Sequence, residues 1–214
     1  MIFEDVRQEI IAVCLELAHY GYLAGTGGNV ACRIDDEHFA ITPSASDYYS
    51  MVPQDICVLR LTDLKQVAGE SRPSVEHRLH AYVLQARADC RGSIHTHQPI
   101  ASAFTLLGRD LEIQDEHRDL LGPRAALVSY APSGTNWLAS KLRKALRPDI
   151  NAYLLRNHGV VCCGPTLRET VHRVKMLELA CSNFFHDVIA QQATGDSSGL
   201  FSLLCNSEEL EPAH

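Results

Sequence analysis

The sequence predicts a single α/β domain in which a central, mixed, largely antiparallel sheet is sandwiched between helices in three layers. Three observations lead there. Stretches with apolar residues at helical spacing alternate with short apolar runs of strand length. The first two strand-like runs lie so close together that a hairpin must join them, which makes that part antiparallel. No internal repeat, low-complexity block or proline-rich linker divides the 214 residues, a length that suits one domain spanning 1–214.

Each element follows in order. Val6, Ile10, Val13, Cys14, Leu17 and Ala18 recur at helical spacing over 3–20, and Gly21 stops that helix. A glycine-rich turn, Gly25-Thr26-Gly27-Gly28-Asn29, leads into a strand over 30–34. Asp35-Asp36-Glu37 forms a hairpin tip, 39–42 is the returning strand, and 55–62 is a third strand. Residues 67–71 read as a loop. Pro73-Ser74 opens the next helix with Ser74 as its cap and Glu76 and His77 in its first turn. A strand carrying His95 and His97 follows, then a short helix over 100–107 and strands over 111–114 and 126–130. Gly134-Thr135-Asn136 begins a helix to about Leu146, with Trp137, Leu138, Leu142 and Leu146 inward. Residues 152–162 read as one strand interrupted at His158-Gly159. The longest helix spans 166–192 and is apolar over more than half its circumference, which suggests burial on two sides, as at a subunit contact. A tail from about 195 follows.

Composition excludes several classes. Apolar residues make up 46% and charged residues 21%, ordinary for a soluble globular protein. The formal charge of −7 argues against nucleic acid as a partner. No run of 18 apolar residues suggests a membrane span, and Met1-Ile2-Phe3-Glu4-Asp5 lacks the basic flank of a signal peptide. The eight cysteines are scattered through core-like segments without a C-x-x-C, and Cys162-Cys163 would face opposite sides of a strand. We read them as reduced thiols of a cytoplasmic protein.

The chemistry centres on Ile94-His95-Thr96-His97. Residues i and i+2 of a strand share a face, so both imidazoles can converge on one ion, at about 2.0–2.1 Å for zinc. His158 lies at another strand end, where Gly159 would relieve crowding. Three imidazoles with a fourth position open describe a catalytic zinc site rather than a structural one. A cupin-type iron site would want a carboxylate soon after the pair, and 98–104 contain none. Glu76 at a helix start suits a general acid/base, because the helix dipole stabilises its anion. Thr26, Gly28, Asn29, Ser44 and Ser74 are small or polar residues at three turns where backbone N–H groups can approach an anion.

Together these pieces resemble the class II aldolase/adducin family, which includes fuculose-phosphate aldolase and ribulose-phosphate 4-epimerase. The resemblance runs from Ile10 to about Ile189. It rests on Gly25-Thr26-Gly27-Gly28-Asn29, Ile41-Thr42-Pro43-Ser44, Pro73-Ser74-Val75-Glu76, Ile94-His95-Thr96-His97, Ala131-Pro132 and Asn157-His158-Gly159. It implies a class II aldolase-like αβα fold. It also implies one divalent ion per subunit on His95, His97 and His158, zinc foremost, with Mn2+, Fe2+ or Co2+ as alternatives. Glu76 becomes the acid/base, and the assembly a homotetramer with active sites between subunits. The implied activity is carbon–carbon cleavage of a small hydroxy-carbonyl substrate through a metal-stabilised enediolate.

The chain departs from the sugar-phosphate aldolases where they hold phosphate. Ser44-Ala45 stands for their Thr-Gly, and Ser74-Val75 for two serines. A lost donor to a charged group costs on the order of 1.5–3 kcal/mol, so a carboxylate in place of phosphate is a reasonable expectation. Glu116 occupies the position of a family tyrosine, and His117 and Arg118 beside it are candidate substrate contacts. A decarboxylase, dehydratase or epimerase on the same scaffold is the alternative. A non-catalytic adducin-like module would have lost the histidines, and an unrelated zinc hydrolase would not explain the turns at 25–29 and 41–44.

Overall fold

The computed structural model describes residues 2–23 and 27–193. The chain opens with helix α1 (Ile2–His19), which buries Val6, Ile10, Val13, Cys14 and Leu17. It ends in a glycine cap. Gly21 takes φ +72°, its N–H bonds the Ala18 carbonyl, and the Tyr22 N–H reaches the Leu17 carbonyl at 2.9 Å. Strands β1 (Asn29–Arg33) and β2 (His38–Ile41) form the expected hairpin. Asp35 shapes its tip, because its carboxylate accepts from the backbone N–H groups of Glu37 and His38.

Strand β3 (Cys57–Arg60) pairs with β2, and β4 (Gln66–Ala68) pairs with β3. The stretch at 67–71 is therefore not all loop. Its first residues form a short, mostly exposed edge strand, too short and too polar to show alternation before Gly69 turns it away at φ +100°. Next come α2 (His77–Ala86), β5 (Gly92–Thr96), α3 (Pro99–Phe104), β6 (Leu111–Glu112), α4 (Arg118–Leu121) and β7 (Arg124–Val128). Helix α5 (Asn136–Ala145), β8 (Ala152–Leu155), β9 (Gly159–Gly164) and α6 (Leu167–Ala193) complete the order.

The nine strands run β4-β3-β2-β1-β5-β9-β8-β7-β6, and every neighbouring pair is antiparallel except β7 with β8. Alternation along each strand feeds two layers. Ile94, Val160 and Cys162 pack beneath α1, α3 and α6, whereas Val161 and Cys163 face α2 and α5. The helices accordingly lie on both faces, as expected. Burying each such aliphatic side chain contributes about 1.5–3 kcal/mol. The seven described cysteines are buried free thiols. No described helix is long and apolar enough to cross a membrane.

Three further local expectations are corrected. Residues 152–162 are two antiparallel strands, β8 and β9, folded back at Arg156-Asn157-His158. The turn closes with the His158 N–H on the Leu155 carbonyl at 3.0 Å, and Asn157 takes the left-handed φ of +57° that asparagine tolerates. Trp137 is 58% exposed, because Leu138, Ala139 and Leu142 occupy the inner stripe of α5, and it instead stacks with Lys141. Ser74 does not cap α2. The helix begins at His77 with Glu76 in the cap position, and Ser74 makes a turn just before it, its Oγ accepting from the Glu76 N–H at 3.2 Å.

Candidate metal centre and active site

Strands β1, β5 and β9 are neighbours at the centre of the sheet. Their antiparallel alternation brings the start of β1, the end of β5 and the start of β9 to one edge, where Asn29 pairs with His95 and Thr96 with Val160. His95 is fully buried, and its Nδ1 lies 2.8 Å from the Val160 carbonyl. A carbonyl only accepts, so Nδ1 carries the proton and Nε2 turns a lone pair toward the cleft. His97 lies one residue past β5, anchored by its N–H to the Tyr22 carbonyl at 3.1 Å. His158 comes from the β8–β9 turn.

The three imidazoles converge, with ring centroids 4.7, 4.8 and 5.0 Å apart and one nitrogen from each within 4.8 Å of the others. Gly159 makes this convergence possible. A Cβ there would lie 2.5 Å from the Thr96 carbonyl oxygen and 2.6 Å from the His97 ring. Nε2 of His95 and Nε2 of His97 face each other at 3.0 Å. Two lone pairs that close repel unless a proton or a cation lies between them. Burial pushes all three histidines below the ordinary pKa, His95 to about 4, so the rings take up no second proton at neutral pH and each keeps one lone pair to offer a cation. The donor set therefore fits a divalent ion with an open side.

Glu76 closes that side. Its Oε2 lies 3.3 Å from His95 Nε2 and its Oε1 3.6 Å from His158 Nε2. Asn29 Nδ2 donates to Oε2 at 2.9 Å and Ser133 Oγ to Oε1 at 3.0 Å. Burial alone would raise this carboxyl's pKa, but the His95 ring, the Asn29 amide, His158 and the Ser133 hydroxyl outweigh it and hold the group below the carboxylate range. With His95 neutral at pH 7, the two hydrogen bonds sustain the anion.

Glu76 and His97 face a cleft of about 220 Å³ whose walls include Gly28, Asn29, Ser44, Ala45, Ser74 and Ser133. Two expected anion turns are brought side by side. Pro43 bridges Pro73, the Ser74 N–H bonds the Thr42 carbonyl at 3.1 Å, and the Ser44 N–H bonds the Arg72 carbonyl at 2.9 Å. Gly28 must be glycine, with φ +84° and no room for a Cβ beside Leu23 and the His95 carbonyl. Thr26 lies outside the described residues. Glu116, His117 and Arg118 are not brought to this site. His117 pairs with Glu116 at 3.2 Å and lines a separate groove against α6, and Arg118 bonds the Ile113 carbonyl and Asp115. Sequence reasoning missed Ser133, although it follows directly on the Ala131-Pro132 pair, and Tyr48, whose hydroxyl clamps the Gly28 carbonyl at 2.6 Å.

Residues 8–184 match the family of the class II aldolase and adducin N-terminal domain, and the chain belongs to that family. It is similar to 5-deoxy-D-ribulose 1-phosphate aldolase of Bacillus thuringiensis serovar kurstaki, 32% identical over 162 residues that cover 75% of each chain. A 3-oxo-tetronate 4-phosphate decarboxylase of Escherichia coli is 26% identical, covering 82% of this chain and 84% of its own. Among solved structures, an L-fuculose 1-phosphate aldolase superposes with a TM-score of 0.79 at 28% identity, covering 86% of both chains. Relatives on this scaffold are thus aldolases and a decarboxylase.

Proposed function

We propose that this chain is a divalent-metal-dependent carbon–carbon lyase that cleaves a small hydroxy-carbonyl substrate by an aldol-type reaction. The observation that carries it is Glu76, an ionised carboxylate with both oxygens hydrogen-bonded, set against the open side of three converging imidazoles and facing the cleft. An ion held by His95, His97 and His158 would supply Lewis-acid polarisation of adjacent substrate oxygens and stabilise the negative charge left as the carbon–carbon bond breaks. Zinc suits three imidazoles best, with manganese, iron and cobalt as alternatives. Glu76 takes a proton from, or returns one to, the carbon or oxygen beside that bond. Asn29 and Ser133 hold its two oxygens so that the transfer needs no rotation. The turns at Gly28-Asn29, Ser44 and Ser74 receive the substrate's anionic group.

Decarboxylation is the second reading. Ala45 and the 62% exposed Val75 flank the cleft, neither has a side chain that can donate, and a relative is named as a decarboxylase. Product analysis separates them: two carbonyl fragments for cleavage, carbon dioxide for decarboxylation. We also propose a homotetramer. The exposed Leu179 and Ile189 of α6 support it, and Glu116, His117 and Arg118 would then serve a neighbouring subunit's site.

The test is to screen 5-deoxyribulose 1-phosphate, fuculose 1-phosphate and short hydroxy acids with zinc-loaded wild type and Glu76→Gln. We expect turnover of at least one compound and a fall of about 10²–10⁴-fold in the variant at equal zinc content. No turnover of any compound, or an unchanged variant, overturns the lyase reading.

A further inference from the structure

Behind Glu76 and Asn29 lie two buried polar residues, His80 and Ser93, that the chemistry above does not use. His80, on α2 one turn after Glu76, is fully buried. Its Nε2 lies 2.5 Å from Asn29 Oδ1, and its Nδ1 lies 2.8 Å from Ser93 Oγ, also fully buried. Asn29 itself is 5% exposed.

The direction of every bond in the series from Ser93 to Glu76 follows from its end. A carboxylate only accepts, so Asn29 must turn its NH2 toward Glu76. Its Oδ1 then faces His80 and needs a donor there. His80 must carry its proton on Nε2, which leaves Nδ1 as an acceptor for the Ser93 hydroxyl. Burial pushes His80 down to a pKa of about 3, so the ring is neutral and has one donor and one acceptor to give. With the ring neutral, this assignment gives each of the four groups a partner.

We propose that His80 is a positioning residue, which through Asn29 fixes the orientation of the Glu76 carboxylate and leaves the Asn29 side chain able only to donate toward the cleft. If the amide turned over, its oxygen would face a carboxylate oxygen and its NH2 would face the imidazole N–H. The Asn29 amide has a second N–H beyond the one given to Glu76. Because His80 takes up the oxygen, the side chain presents to the cleft only a group that favours an anion. This inference rests on Glu76 being the acid/base of a lyase, but its geometric part can be tested without turnover.

The first measurement is 15N NMR of histidine-labelled, zinc-loaded protein, with His80 identified by the signals lost in His80→Gln. We expect the Nε2–H tautomer, retained in Ser93→Ala because Asn29 Oδ1 still needs a donor. The Nδ1–H tautomer in the wild type overturns the proposal, whether or not a substrate has been found. The second measurement is steady-state kinetics on the compound turned over best in the screen above. His80→Leu should lower kcat about tenfold, the equivalent of one lost hydrogen bond of roughly 1.4 kcal/mol, with zinc content unchanged and KM moved less. His80→Gln should recover most of that loss, because a carboxamide places an acceptor and a donor on one carbon as the imidazole does. A merely structural role would lower thermal stability without this rescue in kcat. Wild-type kcat in His80→Leu, or a Gln variant no better than Leu, overturns the proposal. If His80→Leu does not fold, Ser93→Ala takes its place, with a drop of about threefold expected and an unchanged kcat counting against the proposal.

Discussion

Glu76 is a carboxylate that water barely reaches, and it stays ionised because each oxygen has its own donor, Asn29 for one and Ser133 for the other. His80 is the opposite case, a base that burial keeps neutral. Its folded-state pKa is pushed down to about 3 from an ordinary 6.5. Between those values the unfolded chain binds a proton that the folded chain refuses. Stability therefore falls as pH drops through this window, by up to about 1.4 kcal/mol per pH unit for the one group. Thermal unfolding measured from pH 7 to pH 4 should show a steady decline that is shallower in His80→Gln, and equal slopes would exclude His80 as a source. Ala45 is a third residue under constraint. It holds a left-handed φ of +55° at the cleft wall, a conformation glycine adopts freely. Ala45→Gly should leave the melting temperature nearly unchanged, since relief of strain and added chain freedom roughly cancel. It should lower KM for a sugar phosphate several-fold if the methyl obstructs the anion, and titration of KM across ketose phosphates checks this.

At the scale of elements, the β8–β9 hairpin does the assembling, for its turn supplies His158 and Gly159, the first residue of β9, makes room for the other two rings. Gly159→Ala should drive a methyl into the Thr96 carbonyl and the His97 ring. We expect bound zinc, measured by elemental analysis, to fall at least tenfold at equal protein folding; full occupancy would mean the rings can retreat. The crowding at Gly159 was legible in the sequence, because glycine beside a histidine at a strand end has few other uses. The hairpin was not, because 152–155 and 159–162 are fully buried apolar stretches, so the polar Arg156-Asn157-His158 between them read as an interruption of one strand rather than as a turn between two. Likewise the His95-x-His97 spacing announced a shared face, and Glu76 before that strand announced a carboxylate. Ser133 carried no such signal: a serine after a proline looks like any turn, and only the three-dimensional path of the chain between β7 and α5 brings it to Glu76. Trp137 misled for a related reason. Its bulk suggests burial, while its helical phase places it outside the stripe set by Leu138 and Leu142.

For the molecule as a whole, an ion held by the three histidines would bind the native state far better than the unfolded chain, and removing it should show in stability. A chelator should lower the melting temperature by on the order of 10 °C, from linkage of about 4 kcal/mol at a thousandfold excess over Kd and the usual 2–4 °C per kcal/mol at this size. Added zinc should restore it, and a melting curve indifferent to chelator would argue against a bound ion. The layered fold itself was readable from the alternation of helical and strand-like stretches, whereas the order of strands was not, since antiparallel neighbours such as β5 and β9 are far apart in the chain.

That adjacency of β1, β5 and β9 has a kinetic consequence. Asn29, Glu76, His97 and His158 are spread from residue 29 to residue 158, and Asn29 and His158 join the rest only when the centre of the sheet closes. Long-range pairings of this kind form late, after the entropy of closing large loops has been overcome. Early in folding, only the local His95–His97 pair is within reach of an ion. Full coordination would therefore be a clock for completed topology: an ion could gain all three imidazoles only once the two halves of the chain have become one sheet.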